Sequence, residues 1–150
     1  MKYFIQAIML GLAMLAAMAV PRIAHAEVVL VGSSQLHFSE ISKTKLRDLY
    51  TGQSQMVGST NVLVIDRDEA FRERSHFILS TLGFTNEEFK TVQRLLECIG
   101  VSKAPTVARD SKHMIQMLLT NPNALGYVTQ SELQKNGVKS KLRLIKVLAE

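Results

Sequence analysis

The chain has 150 residues, of which 47% are hydrophobic and 21% charged, with 18 basic and 13 acidic side chains. The basic residues are scattered, without a run of five or six like charges, so the composition argues against a nucleic-acid-binding tail. Cys98 is the only cysteine and excludes an intramolecular disulfide. It follows Leu95 and Leu96 in an apolar helical pattern, which predicts a buried structural thiol.

The first 26 residues have the pattern of an export signal. Lys2 precedes an apolar run that ends at Pro21, and Ala24-His25-Ala26 fits the small-x-small cleavage pattern. The run is short for a spanning helix, which needs roughly 20 apolar residues. We therefore expect a signal peptide over residues 1–26, cut after Ala26, and a periplasmic location without a stable membrane anchor. The remaining domain, residues 27–150, keeps 16 basic and 13 acidic residues, a net charge of +3.

The mature chain opens with strand and helix signals in alternation. The apolar run Val28 to Val31 predicts a buried strand in a parallel sheet, and Gly32-Ser33-Ser34 follows it as a turn. Ser42 is placed to cap a helix that carries an apolar face, and Gly52 is placed to end it. Val62 to Ile65 repeats the buried-strand signature.

The middle of the chain predicts a helical hairpin. Asp66 and Glu69 have the spacing of a capping box, which predicts that a helix starts directly after the second strand. On that helix Arg72 and Arg74 are expected on an exposed face, and Gly83 ends it. Thr85 and Glu88 form a second capping box, and a helix follows up to Gly100.

The last third alternates again. Pro105 argues against a central strand over Ser102 to Ala108, because proline cannot donate to a sheet ladder. Asp110 can cap a helix, Leu125 to Val128 predicts a short strand, and Leu142 to Leu148 predicts a final one. Strands alternating with helices favour an α/β fold with a mixed, mostly parallel sheet and helices on its faces.

Candidate ligand groups follow two predicted strands. In an open α/β sheet, ligands bind beyond the carboxyl ends of the strands. Ser33 and Ser34 offer hydroxyls after the first strand, and Arg67 follows the second beside a predicted helix start. Arginine binds an oxyanion in bidentate fashion. A plain loop for the serines and a solvated helix start for Arg67 remain open.

Catalysis has no positive support in the sequence. His37, His76 and His113 are far apart and lack a metal-binding spacing, and no nucleophile elbow, P-loop or Gly-x-Gly-x-x-Gly motif occurs. We expect a protein that is not an enzyme and that needs neither a cofactor nor a metal.

Three segments in order resemble the periplasmic phosphate-binding-protein-like domain, the substrate-binding component of phosphate ABC transporters. They are Ile41-Ser-Lys-Thr-Lys-Leu-Arg-Asp-Leu-Tyr-Thr-Gly52, Val62-Leu-Val-Ile-Asp-Arg67 and Asn121-Pro-Asn-Ala-Leu-Gly-Tyr-Val128. The resemblance implies a short, single-lobe member over residues 27–150. It also implies phosphate or another oxyanion as ligand and an ABC transporter permease as partner.

The chain departs from that family directly after Arg67. Classical members carry a Ser-Gly-Thr stretch there to hold phosphate, whereas this chain has the acidic sequence Asp68-Glu-Ala-Phe-Arg-Glu73. Classical members are also about twice as long. Two functions therefore stay open: an oxyanion-binding protein that uses Ser33, Ser34 and Arg67, or an envelope protein-interaction module on the same fold that has lost ligand binding.

Overall fold

The computed structural model describes residues 27–149. Its elements, in chain order, are β1 (Val28–Ser33), β2 (Glu40–Ser42), α1 (Lys43–Thr51), β3 (Met56–Val57), β4 (Thr60–Asn61), β5 (Leu63–Arg67), α2 (Arg72–Phe77), α3 (Asn86–Cys98), β6 (Thr106–Ala108), α4 (Ser111–Thr120), β7 (Ala124–Thr129), α5 (Gln130–Lys135), β8 (Leu142–Leu144) and β9 (Lys146–Leu148). Helix α2 passes directly into a π-helical turn, Ile78–Leu82. The expected signal peptide and its cleavage site lie outside the described residues.

The central sheet has five strands in the order β6-β5-β7-β1-β8. Strand β5 is parallel to β6 and to β7, whereas β1 is antiparallel to both β7 and β8. Four strands thus run in one direction and β1 runs in the other, which confirms a mixed, mostly parallel sheet. The prediction that the first strand is parallel to its neighbours is wrong.

Each central strand sends alternate side chains to opposite faces of the sheet. Val64 and Tyr127 join one apolar cluster, and Ile65 and Val128, the next residues along, join the other. The first cluster is covered by α1, α2 and α3 through Leu46, Leu49, Phe77 and Phe89, and the second by α4 and α5 through Met114, Ile115, Leu118 and Leu133. The expected helices on both faces are confirmed, giving three layers.

Both predicted ends of α1 and the predicted starts of α3 and α4 are confirmed. The Ser42 hydroxyl accepts from the Lys45 amide, and Gly52 ends α1 with a left-handed φ of 85°. Thr85 and Glu88 form a reciprocal capping box at α3. The Asp110 carboxylate caps α4.

The predicted helix start at Asp66 is wrong. Asp66 and Arg67 are the last two residues of β5, and α2 begins only at Arg72. The intervening turn is held by Asp68, whose carboxylate accepts from the Ala70 amide. Arg74 is buried rather than exposed, because it pairs with the Asp66 carboxylate.

Three further differences concern the periphery. Cys98 is exposed, so the buried-thiol prediction is wrong: Phe89 is the one buried residue of α3, and Leu95 and Ile99 face solvent. The final strand is two strands separated at Ile145, because β8 joins β1 in the central sheet and β9 pairs with β2. Strand β6 lies at the sheet edge, where Pro105 just before it interrupts no ladder.

In residues 27–149, no helix is long and apolar enough to cross a membrane.

Candidate functional site

The two groups of candidate ligand residues lie at opposite ends of the sheet. Because β1 is antiparallel to β7, Ser33 lies at the level of Leu63, where β5 begins, whereas Arg67 ends β5. Four residues of strand separate the two levels, about 13 Å along the strand direction. The structure therefore does not bring Ser33 and Ser34 together with Arg67.

The serine end of the sheet is a loop with few polar contacts. Ser33 is buried, and its hydroxyl accepts from the Gln35 amide at 3.3 Å. Ser34 is exposed, and its carbonyl accepts from Arg143 at 3.1 Å. The exposed Ser34 hydroxyl can still donate to a ligand, and within residues 27–149 Arg143 is the one cation in contact with the pair.

Arg67 is held inside the protein by a carboxylate from another element. Its side chain is 2% exposed, and its Nη2 donates to Glu132 Oε2 at 2.6 Å. Its Nη1 donates to the Ser111 hydroxyl at 3.1 Å. Ser111 in turn donates to Glu132 Oε1. The end of β5, the first turn of α4 and α5 thus meet at one ion pair.

Both oxygens of Glu132 are occupied. Oε2 also accepts from the Thr129 amide at 2.7 Å, and the Thr129 hydroxyl accepts from the Glu132 amide, which completes a capping box. Burial acts to raise the pKa of Glu132, but the hydrogen bonds from Ser111, Thr129 and Arg67 outweigh it, and the pKa lies below its ordinary value. Glu132 is therefore a carboxylate at neutral pH.

Asp66 forms a second buried network beside the first. Its Oδ2 accepts from Arg74 Nε at 2.9 Å, and its Oδ1 accepts from the Tyr127 hydroxyl at 2.6 Å and from the Arg67 amide at 2.8 Å. Burial and the nearby Asp66 charge raise the pKa of Tyr127, so its hydroxyl stays a donor. This network fixes the carboxyl end of β5 without using the Glu132 carboxylate.

A cavity of about 220 Å³ opens at the same end of the sheet. It is lined by four acidic residues and two arginines, together with Gln93, Ala104, Pro105 and Val107; the charged residues are Asp66, Asp68, Glu69, Glu97, Arg67 and Arg74. Both arginines are paired with carboxylates, so the excess charge is negative. Such a lining repels an anion. One donor in this region has no partner among the described residues, the buried Nε of Arg67.

Sequence reasoning missed Glu132 and Ser111. The segment Thr129-Gln-Ser-Glu132 has the capping-box pattern and directly follows a strand, which is a local signal for the start of α5. No local pattern links Glu132 to Arg67, because 65 residues separate them in the chain. Within residues 27–149, no three His, Cys, Asp or Glu side chains are grouped so as to hold a metal ion.

Several solved structures share this architecture at low sequence identity. The chain superposes on a protein from Clostridium perfringens assigned as a phosphate ABC transporter substrate-binding protein, solved with bound phosphate, with a TM-score of 0.60 and 19% identity. It also superposes on an ABC-type phosphate transport receptor from Vibrio cholerae (TM-score 0.58, 17% identity) and on PstS from Borrelia burgdorferi (TM-score 0.59, 19% identity). In each comparison 80% of this chain is covered.

The chain has the fold of a single phosphate-binding-protein-like lobe. It spans only 44% to 46% of the length of these three solved chains. No family model and no curated protein matches the sequence. At identities below 20%, the similarity establishes the architecture that the three sequence segments predict, and it leaves the ligand to be argued from the residues of this chain.

Proposed function

We propose that the protein is an exported, periplasmic, non-enzymatic protein that keeps the solute-binding fold and has lost its oxyanion ligand. In this proposal it acts as an interaction module for another envelope protein. The observation that carries the proposal is the ion pair between buried Arg67 and partly buried Glu132. An arginine that could bind an oxyanion already holds an anion from its own chain.

The charges around Arg67 support the same conclusion. Glu132 accepts from Arg67, Ser111 and Thr129, so an external anion would have to displace a carboxylate with both oxygens hydrogen-bonded. It would also approach through a cavity with excess negative charge. Both effects oppose anion binding, because a partly buried carboxylate and an anion at one site repel each other.

A second function is favoured by one specific observation. Arg67 Nε is buried without a hydrogen-bond partner among residues 27–149, and a buried donor in that state costs stability unless an acceptor reaches it. An oxyanion could be that acceptor, and one protein of the same fold was solved with bound phosphate. The chain would then bind phosphate or a similar oxyanion through Arg67, or through Ser33 and Ser34, and pass it to an ABC transporter permease.

Phosphate titration separates the two functions. The melting temperature of the protein spanning residues 27–150 is measured in up to 10 mM phosphate, with chloride at matched ionic strength as the control. A ligand that binds only the folded state stabilises it by RT ln(1 + [L]/Kd), about 2.7 kcal/mol at a hundredfold excess over Kd. We expect no shift beyond the chloride control. A saturable shift that Arg67→Lys abolishes would instead establish oxyanion binding at Arg67, and one that Ser34→Ala abolishes would place it at the serine end.

The interaction half of the proposal has its own test. Leu95 on α3 and Ile99, the C-cap of that helix, lie one turn apart and are 61% and 69% exposed, which offers an apolar contact for a partner. A photo-crosslinking residue at position 95 should capture one defined envelope protein in cells, whereas one at the exposed Lys139 should not. Failure to crosslink above the Lys139 control would count against a partner on this helix.

A further inference from the structure

We infer that Glu132 is a tethered ligand. The groups around its carboxylate form a cradle, defined by Arg67, Ser111 and the Thr129 amide, that binds a free small carboxylate once the Glu132 side chain is removed. The inference deepens the proposed function, since it rests on Glu132 filling the position of an external anion. It assigns the cradle a ligand class, planar carboxylates such as formate and acetate.

The donors suit a carboxylate because they serve both of its oxygens. Oε2 accepts from Arg67 Nη2 at 2.6 Å and from the Thr129 amide at 2.7 Å, and Oε1 accepts from the Ser111 hydroxyl. Three donors for two coplanar oxygens match formate directly. A tetrahedral phosphate carries two more oxygens, and the donors found at Glu132 leave both of them unmatched.

The cradle is positioned by contacts that do not involve Glu132. The Arg67 guanidinium lies 5.9 Å from the ring centre of Phe71 and 5.8 Å from that of Tyr127. Its Nη1 contacts Ser111, which is the first residue of α4 after the Asp110 cap. These contacts do not depend on the Glu132 carboxylate, and a preorganised site loses little affinity to ordering its donors.

The chain supplies a matched control in its other capping box. Glu88 makes the same two contacts with Thr85 that Glu132 makes with Thr129. Its carboxylate accepts a hydrogen bond from the Thr85 amide at 2.7 Å, no arginine among residues 27–149 pairs with it, and it is exposed. Removing Glu88 therefore removes a helix cap alone, whereas removing Glu132 removes a cap and empties a cradle.

The experiment compares Glu132→Ala, Glu88→Ala and the unchanged chain in sodium formate, with sodium chloride at matched ionic strength. The best ligands of three heavy atoms bind with a Kd of about 1 mM. Formate is therefore titrated from roughly that value to roughly a hundredfold excess, from about 1 to about 100 mM. We expect formate to raise the melting temperature of Glu132→Ala saturably, by several degrees above the chloride control. For Glu88→Ala, as for the unchanged chain, formate should shift the melting temperature no more than chloride does.

A second variant and a second readout keep the test decisive. Glu132→Gln fills the cradle with an amide, so formate should not raise its melting temperature. If Glu132→Ala is unfolded in chloride, recovery of its helical circular dichroism signal in formate replaces the melting shift. No saturable formate effect in either readout, or an equal effect in Glu88→Ala, overturns the inference.

The outcome is independent of the phosphate titration. A saturable rise in the melting temperature of the unchanged chain with phosphate would refute the loss of oxyanion binding. It would not change what the formate titration of Glu132→Ala shows about the cradle. Conversely, a silent Glu132→Ala variant would refute the cradle, while an unchanged chain that ignores phosphate would still support the proposed function.

Discussion

The two ends of the central sheet differ in how many of their polar side chains are hydrogen-bonded to other parts of the protein. At the Arg67 end, a buried ion pair, a partly buried ion pair and a tyrosine hydroxyl are linked by hydrogen bonds, and each of the two guanidinium groups is paired with a carboxylate. At the serine end, one buried hydroxyl and one exposed serine lie in a turn. The end with the chemistry to hold an anion is filled by the protein itself, whereas no buried cation among residues 27–149 contacts the two serines.

The comparison shows why residues that follow strands are not thereby neighbours. Ser33 and Arg67 both follow apolar runs of similar composition, yet β1 and β5 run in opposite directions. Only the direction of each strand decides which sheet edge a following residue reaches. The free energy of unfolding should therefore depend on the polar contacts at the Arg67 end and not on those at the serine end.

The largest effect is expected from Asp66→Ala. The variant leaves the Arg74 guanidinium buried without its carboxylate and removes the acceptor of the Tyr127 hydroxyl. Breaking a buried pair from one side costs about 3–5 kcal/mol. Urea unfolding should show a loss of that size in the free energy of unfolding.

The exposed pair of Glu69 and Lys90 is the control for Asp66→Ala. Their charged atoms are 2.8 Å apart, but both side chains face solvent, and exposed pairs contribute little. Glu69→Ala should therefore leave the urea midpoint unchanged within error. Equal losses for the two variants would contradict the view that burial gives the Asp66 network its weight.

An intermediate effect is expected from pH. Glu132 has a pKa below its ordinary value of 4.5 in the folded state, so the unfolded state takes up the proton first as the pH falls. Its contribution to stability is complete well above pH 4.5 and is lost as the pH drops through the folded pKa. Melting temperatures from pH 7 to pH 3 should fall more steeply for the unchanged chain than for Glu132→Gln.

Glu88 also has a lowered pKa, owing first to the hydrogen bond with the Thr85 amide. Glu88 is present in both proteins. The difference between the pH dependence of the melting temperature of the unchanged chain and that of Glu132→Gln therefore measures the contribution of the Glu132 carboxylate. Parallel curves over the whole pH range would show that the Glu132 carboxylate does not stabilise the fold.

The smallest effect is expected at the serine end. Ser34→Ala removes an exposed hydroxyl without a hydrogen-bond partner among residues 27–149, and exposed substitutions usually change stability by less than about 0.5 kcal/mol. Urea unfolding of this variant should overlay that of the unchanged chain. A loss of unfolding free energy as large as that of Asp66→Ala would contradict the view that the Arg67 end contributes more to stability than the serine end.

Local signals predicted three helix ends correctly, because each of these contacts joins residues a few positions apart. The Ser42 cap, the Gly52 stop and the Thr85-Glu88 box are contacts within one turn of chain. The α/β class likewise follows from the alternation of apolar runs and helical patterns. These features need no knowledge of what packs where.

The errors arose where distant residues decide. Asp66 could have capped a helix, but Tyr127 and Arg74 bind its carboxylate at the end of β5 instead. Cys98 lies in a regular apolar pattern, yet the protein does not cover that part of α3. Glu132 is tied to Arg67 across 65 residues. Neither periodicity nor capping rules describe such contacts.

The placement of β1 has a consequence for the order of events in folding. This strand, near the start of the described chain, lies between β7 and β8, which come near its end. Closing such long loops is entropically costly, and folds dominated by distant pairings form slowly. The central sheet cannot be completed until β8 has been synthesised, more than 100 residues after β1.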